Sequence, residues 1–142
     1  NTWFRKGGLL QEQQIIVQRT EELISSGSTV VIYTSRKLLV PDTQDRDEIL
    51  RASVEISDAI TGIIGKLTVR PRFIIAKGGI TSSDVGTKAL RVRRADVIGQ
   101  VKKGIPVWMT GKESRFPGMP YIIFPGNVGE ESDLRDIVEQ LM

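Results

Sequence analysis

The sequence contains neither cysteine nor histidine among its 142 residues. The first absence excludes disulfides, thiol chemistry and a cysteine-held metal. The second removes the commonest metal ligand and the usual general base near neutral pH. Any chemistry is therefore left to carboxylates, hydroxyls, cations, backbone groups or a second domain, and no metal site is expected on the chain. Aromatic residues make up 6% of the sequence and are scattered, too thin a supply for a platform that stacks single-stranded nucleic acid. No apolar run approaches the ~20 residues that a membrane-spanning helix needs, and no charged-then-apolar leader pattern is visible. No membrane partner is expected, and the expected location is cytoplasmic. The chain begins at Asn1 rather than Met, which reads as a piece of a longer protein.

What is present describes an ordinary folded domain. With 39% hydrophobic and 26% charged residues, the chain is long enough to bury one core, and a single domain over residues 1–142 is expected. The net charge is +3, and its densest cluster is Arg91, Arg93 and Arg94, with Lys102 and Lys103 nearby. A solvated basic face explains this cluster best, although the same arginines could draw an anionic nucleotide inward. An RNA-binding domain resting on that charge is the weaker reading, and no nucleic-acid partner is expected.

Helix-like and strand-like segments alternate along the chain. Leu9, Ile16 and Leu23 repeat at seven-residue spacing with Leu10, Val17 and Ile24 beside them, which predicts a core-facing helix that Gly27 ends. Thr29 to Thr34 is a β-branched run of the length a buried strand wants. A polar connection from Lys37 to Asp47 precedes a second long helix, with Ile49, Ile56, Ile60, Ile63 and Leu67 at helical spacing. Gly62 and Gly65 weaken its end and imply close packing or fraying.

Arg72 to Ala76 reads as the next strand. Thr81 or Ser82 can cap a short helix with Val85 and Ala89 on its buried side. Strand-like pieces follow at Ala89 to Val92, Val97 to Ile98, Val107 to Thr110 and Tyr121 to Phe124. A last helix starts near Ser132 or Asp133 and places Leu134, Ile137, Val138 and Leu141 on one face. The pattern predicts an α/β layered domain whose central sheet is partly parallel, flanked by helices, with antiparallel additions at one edge.

Two glycine motifs carry the functional signal. Lys77-Gly78-Gly79-Ile80-Thr81-Ser82-Ser83-Asp84 follows the apolar run Phe73 to Ala76, and Pro125-Gly126-Asn127-Val128-Gly129 follows Tyr121 to Phe124. A strand that stops at glycines and resumes as a helix leaves backbone N–H groups free to receive a phosphate. Such turns also serve simply to reverse the chain, and neither matches a P-loop or a dinucleotide fingerprint.

Taken in order, Gly78-Gly79-Ile80-Thr81-Ser82, Gly104-Ile105-Pro106 and Pro125-Gly126-Asn127-Val128-Gly129 resemble the C-terminal nucleotide-binding domain of the four-carbon acid sugar kinase family. The resemblance has motif support from about Phe73 onward. It implies the ATP-binding part of a two-domain kinase that uses ATP and Mg2+ on a four-carbon sugar acid such as threonate or erythronate. The sugar acid would be held by an N-terminal domain absent from this chain, so the isolated chain is expected to be inactive. The resemblance places the ATP-phosphate loop at Gly78, Gly79, Ile80 and Thr81, and a second glycine motif closing over the nucleotide at Gly126 to Gly129. Many members carry a Lys where this chain has Phe124, so a phosphate-side cation is expected to be missing here and ATP use to be weakened.

The candidate nucleotide-binding residues are Ser35, Gly78, Gly79, Ile80, Thr81, Ser82, Gly126, Asn127 and Gly129, and no catalytic residue is assigned. Each has a plainer role as well. Thr81 and Ser82 fit helix capping, Asn127 fits a left-handed turn position, and Asp84 suits a helix's first turn better than it suits magnesium. Lys77 is a candidate phosphate cation. Trp108 and Met109 read as core before they read as an adenine shelf. Ser35 enters only as the end of the first predicted strand. A homo-oligomer is compatible with the sequence. The rival from a different functional class is a non-catalytic module that senses a phosphorylated metabolite with the same glycine turns.

Overall fold

The structure, a computed structural model, describes residues 7–35 and 45–142 and divides into two compact units, Asn1–Val69 and Arg70–Met142. The N-terminal unit contains helices α1 (Gly8–Ser25) and α2 (Arg46–Lys66). As its glycine implied, α1 stops where Gly27 takes φ +83°, with Ser28 N–H donating back to Leu23 O at 2.9 Å. Asp45 caps α2 by accepting from Asp47 N–H at 2.9 Å, and Asp47 and Glu48 complement the positive end of the helix dipole.

The buried residues of α1 include the polar Gln13 and Thr20, on the face flanked by the apolar heptad positions. Gln13 donates its amide to Ala59 O at 2.6 Å and accepts from the Lys66 ammonium. A β-carbon on Gly62 would collide with the Gln13 amide, so this glycine marks close packing rather than fraying.

The strand expected from Thr29 to Thr34 does not form. Residues 28–35 adopt no regular structure, and Val31 and Tyr33 are 65% and 85% exposed. β-Branched side chains favour extended backbone, but a strand needs a ladder partner, and the described residues of this unit provide only helices. Most of the polar connection from Lys37 to Asp47 lies outside the described residues.

The C-terminal unit is built on β1 (Ile74–Lys77), β2 (Ala95–Lys102), β3 (Ile105–Thr110) and β4 (Pro120–Phe124). The order across the sheet is β1-β4-β3-β2, with β1 and β4 parallel and the other neighbours antiparallel, as the sequence led us to expect. Helix α4 (Asp133–Leu141) covers one face, where Ile137 joins Ile105, Val107, Ile122 and Phe124 in the core and Leu134 and Leu141 pack beside them.

On the opposite face lies α3 (Gly79–Asp84), which continues through a π turn over Val85–Ala89. Tyr121 anchors it by donating to Ser82 O at 2.6 Å, and a β-carbon on Gly86 would stand only 3.3 Å from the Tyr121 ring. Burial pushes the Tyr121 phenol well above its ordinary range, so it stays a donor.

Ala89 to Val92, expected as strand, instead completes this winding: Leu90 N–H donates to Val85 O and Val92 N–H to Gly86 O, each at 2.9 Å. Leu90 is fully buried, and Arg91 turns the chain at φ +55°. The strand begins only at Ala95. Because β3 runs antiparallel to β4, the C-terminal ends of β1 and β4 meet the hairpin between β2 and β3 at one end of the sheet.

Candidate functional site

Both glycine motifs leave the sheet at that shared end, because each follows one of the two parallel strands. Gly78 N–H continues the ladder by donating to Phe124 O at 2.9 Å. This bond draws the two turns together so closely that a β-carbon on Gly126 would stand 3.6 Å from Gly78 Cα. Gly104, at φ +80°, turns the neighbouring hairpin, and its own missing β-carbon faces Val128 at 3.6 Å. All three motifs quoted for the family resemblance therefore converge.

The first turn offers donors. Gly78 precedes α3 in a left-handed conformation, φ +105°, and its carbonyl accepts from Ser82 N–H at 2.9 Å. Among the described residues no side chain caps the helix. The N–H groups of Gly79, Ile80 and Thr81 precede the first intrahelical bond, and among the described residues they have no acceptor. In the second turn, the N–H groups of Gly126, Asn127, Val128 and Gly129 likewise have none among the described residues. Unpaired donors meeting at one edge form a surface suited to a polyanion.

Several expected roles change. Thr81 and Ser82 are not caps, because the helix begins earlier, at Gly79. Ser82 is buried inside it, and its hydroxyl donates to Ala76 O at 2.7 Å, tying α3 to β1. Gly78 spends its N–H on the ladder, so its contribution is conformation. Asp84 pairs with Lys88 at 3.0 Å. Ser35 belongs to the N-terminal unit, exposed, at the end of the run that forms no strand.

The basic cluster also stands elsewhere. Arg93 and Arg94 lie beside the opposite end of β2, where their N–H groups donate to Glu113 at 2.9 and 2.7 Å. These bonds hold the Glu113 carboxyl below its usual range. Arg93 and Arg94 consequently do not stand at the glycine turns.

Two lysines reach the glycine end, Lys102 and the candidate phosphate cation Lys77. Lys102 is bound by Asp133 and Asp136, which raises its own pKa and lowers both of theirs. Asp133 also accepts from Glu130 N–H at 2.8 Å, fixing the exit of the second turn. Lys77 pairs with Phe124 across the ladder and places its ammonium 4.0 Å from the ring centroid. A cation thus stands over the residue where the resemblance leads one to expect a lysine. Both residues occupy the last strand position before a glycine turn, the signal from which the pairing could have been inferred.

Trp108 is half-buried and is not enclosed in the core. It borders a cavity of about 230 Å³ that Gly79, Ser82, Ser83, Gly86 and Ile123 also line. No group of acidic residues that could hold a metal occurs among the described residues. No described helix is long and apolar enough to cross a membrane.

An α/β unit with two convergent, donor-rich glycine turns is the architecture of a nucleotide-binding domain. The sequence matches the family described as Nucleotide-binding C-terminal domain over residues 8–134, and the chain belongs to that family. Its fold is similar to that of a protein from Bordetella bronchiseptica, described as a domain of unknown function, DUF1537, with bound citrate, as a domain swapped dimer. In one crystal structure the likeness has a TM-score of 0.54 at 17% identity and covers 87% of this chain and 29% of that one. In a second the figures are 0.51, 20%, 88% and 29%. The chain therefore spans less than a third of the solved chains it matches. No curated protein matches the sequence significantly.

Proposed function

We propose that this chain is the ATP-binding domain of a kinase that phosphorylates a four-carbon sugar acid of the threonate or erythronate type, with the acid held by a further domain. The observation that carries this reading is the convergence of unpartnered N–H groups from Gly79 to Thr81 and from Gly126 to Gly129. They lie at one sheet edge of a chain whose family binds nucleotides. The phosphates lie across these two turns. The base extends past Gly79 toward the cavity bordered by Trp108, whose ring offers a stacking face.

Phosphoryl transfer asks mainly for positioning and for neutralisation of spread negative charge, and backbone donors fixed by the sheet supply both without reorganising. The Thr81 hydroxyl, in the first turn of α3, adds a side-chain hydrogen-bond donor at the phosphate turn. Asp84, Asp133 and Asp136 are all engaged by lysines. The described residues therefore do not fit a metal held by the protein itself, and we assign Mg2+ no step beyond arriving with the phosphates. A base for the sugar hydroxyl has to come from the acid's own domain, so this chain alone does not turn over. The bound citrate of the Bordetella protein accords with a small acid as substrate class.

Calorimetric titration of the folded chain with ATP·Mg and with threonate tests the reading. Heat of binding for ATP and none for the acid is expected, and a folded chain that binds no nucleotide overturns it. Transfer of the γ-phosphate to the acid by the protein that includes the further domain separates a kinase from a phosphometabolite sensor.

A further inference from the structure

We propose that Lys77 is a phosphate-binding residue, poised on the Phe124 ring so that its ammonium pairs with the outer phosphates of the nucleotide. The inference deepens the nucleotide reading and rests on it.

The argument is a comparison of cations at one end of the sheet. Lys102 is already neutralised by two carboxylates. Lys77 makes no ion pair with the described residues; its ammonium touches the Phe124 π face at 4.0 Å and Pro125 O at 3.4 Å. Neither contact cancels its charge, and the carbonyl contact is long for a hydrogen bond. A phosphate oxygen would replace that carbonyl with a charge-assisted partner.

Position supports the same role. Lys77 immediately precedes Gly78, its cross-strand neighbour Phe124 immediately precedes the second glycine turn, and the Gly78 to Phe124 bond locks the two strand ends together. An ammonium held between the Phe124 ring and Pro125 O therefore stands at the strand ends from which both glycine turns leave. Phe124 is 2% exposed, held in the core by Ile105, Val107, Ile122 and Ile137, so the ring is a fixed rest for a side chain that is otherwise mobile.

The test titrates ATP, ADP and AMP into the parent chain and into Lys77→Met, Lys77→Arg and Lys112→Met, at low and moderate salt. Lys112 is an exposed lysine in the loop after β3, at the other end of the sheet. Lys77→Met should weaken ATP about tenfold to a hundredfold, the worth of a charged hydrogen bond, and should flatten the salt dependence. The loss should be smallest for AMP, Lys77→Arg should recover most of the affinity, and Lys112→Met should bind as the parent does.

Equal ATP binding by parent and Lys77→Met, or equal losses for all three nucleotides, overturns the assignment while the nucleotide reading stands. A parent chain that binds none of them overturns both.

Discussion

Replacing Gly79 and Gly129 separately should pull stability and binding apart. At Gly79 a β-carbon meets nothing within 4 Å, and φ is not in the left-handed range, which Gly78 occupies instead. Gly79→Val therefore adds little strain, and a side chain in the first helical turn offsets some of glycine's entropic cost. Stability should stay within about 0.5 kcal/mol of the parent, the range of neutral surface changes. Binding should not survive, because the added carbons stand in the open space through which a phosphate approaches the Gly79, Ile80 and Thr81 donors. Losing one or two charge-assisted bonds costs about 3 kcal/mol, on the order of a hundredfold in Kd.

Gly129→Ala is the opposite case. Its φ of +97° penalises a side chain by about 1–2 kcal/mol. The new carbon would also fall 2.8 Å from Phe124 Cζ and 3.0 Å from Cε1, against a ring too buried to move freely. Overpacking adds about 1–3 kcal/mol, and the sum of roughly 2–5 kcal/mol is a large share of a domain's stability. Urea unfolding followed by circular dichroism, paired with ATP calorimetry, reads both quantities. A Gly79→Val chain that unfolds early, or that binds ATP as the parent does, refutes the account of the first turn. A Gly129→Ala chain as stable as the parent refutes that of the second.

Changing Arg91, Arg93 and Arg94 together to alanine should leave ATP affinity within about twofold, since they stand at the far end of the sheet; salt-sensitive RNA binding lost in the variant, with no ATP binding by the parent, would instead favour an RNA module. Glu113, whose carboxyl is held below its ordinary value of 4.5 by N–H groups including those of Arg93 and Arg94, stabilises the fold above the unfolded pKa and stops doing so as pH falls through the folded one. In urea titrations from pH 7 to 3, the parent's advantage over Glu113→Gln should shrink below about pH 4.5; an advantage that is independent of pH would remove the charge from the explanation. Thr61 is buried in α2 with a hydroxyl that finds no partner among the described residues, so Thr61→Val should match the parent or gain up to about 1 kcal/mol in thermal unfolding, and a clear loss would reveal a hidden bond.

Where local chemistry decided the structure, the sequence was legible. The apolar run before Gly78 became β1, the run before Pro125 became β4, and Leu134, Ile137 and Leu141 turned one face of α4 to the core. Both glycine turns were recognisable because each motif follows directly on an apolar run that forms a strand.

What stayed hidden depended on pairing between distant residues. Thr29 to Thr34 has every local property of a strand, yet β-propensity cannot supply a ladder partner. Sequence likewise could not say which of two adjacent glycines carries the left-handed φ. The bond from Gly78 N–H to Phe124 O, spanning two strands far apart in the chain, settles it. That register also turns Ser82 from an apparent cap into the buried tie between α3 and β1.

The same register resolves Phe124. Read alone, its ring stands where the family resemblance leads one to expect a lysine. Once Lys77 pairs with Phe124 across β1 and β4, the charge is back at that edge, carried by the neighbouring strand and resting on the ring that appeared to replace it. Position 124 alone does not reveal the neighbouring cation, because Lys77 lies one strand away in space and 47 positions away in sequence. The sheet makes Lys77 and Phe124 one unit, and the charge at this edge belongs to the pair.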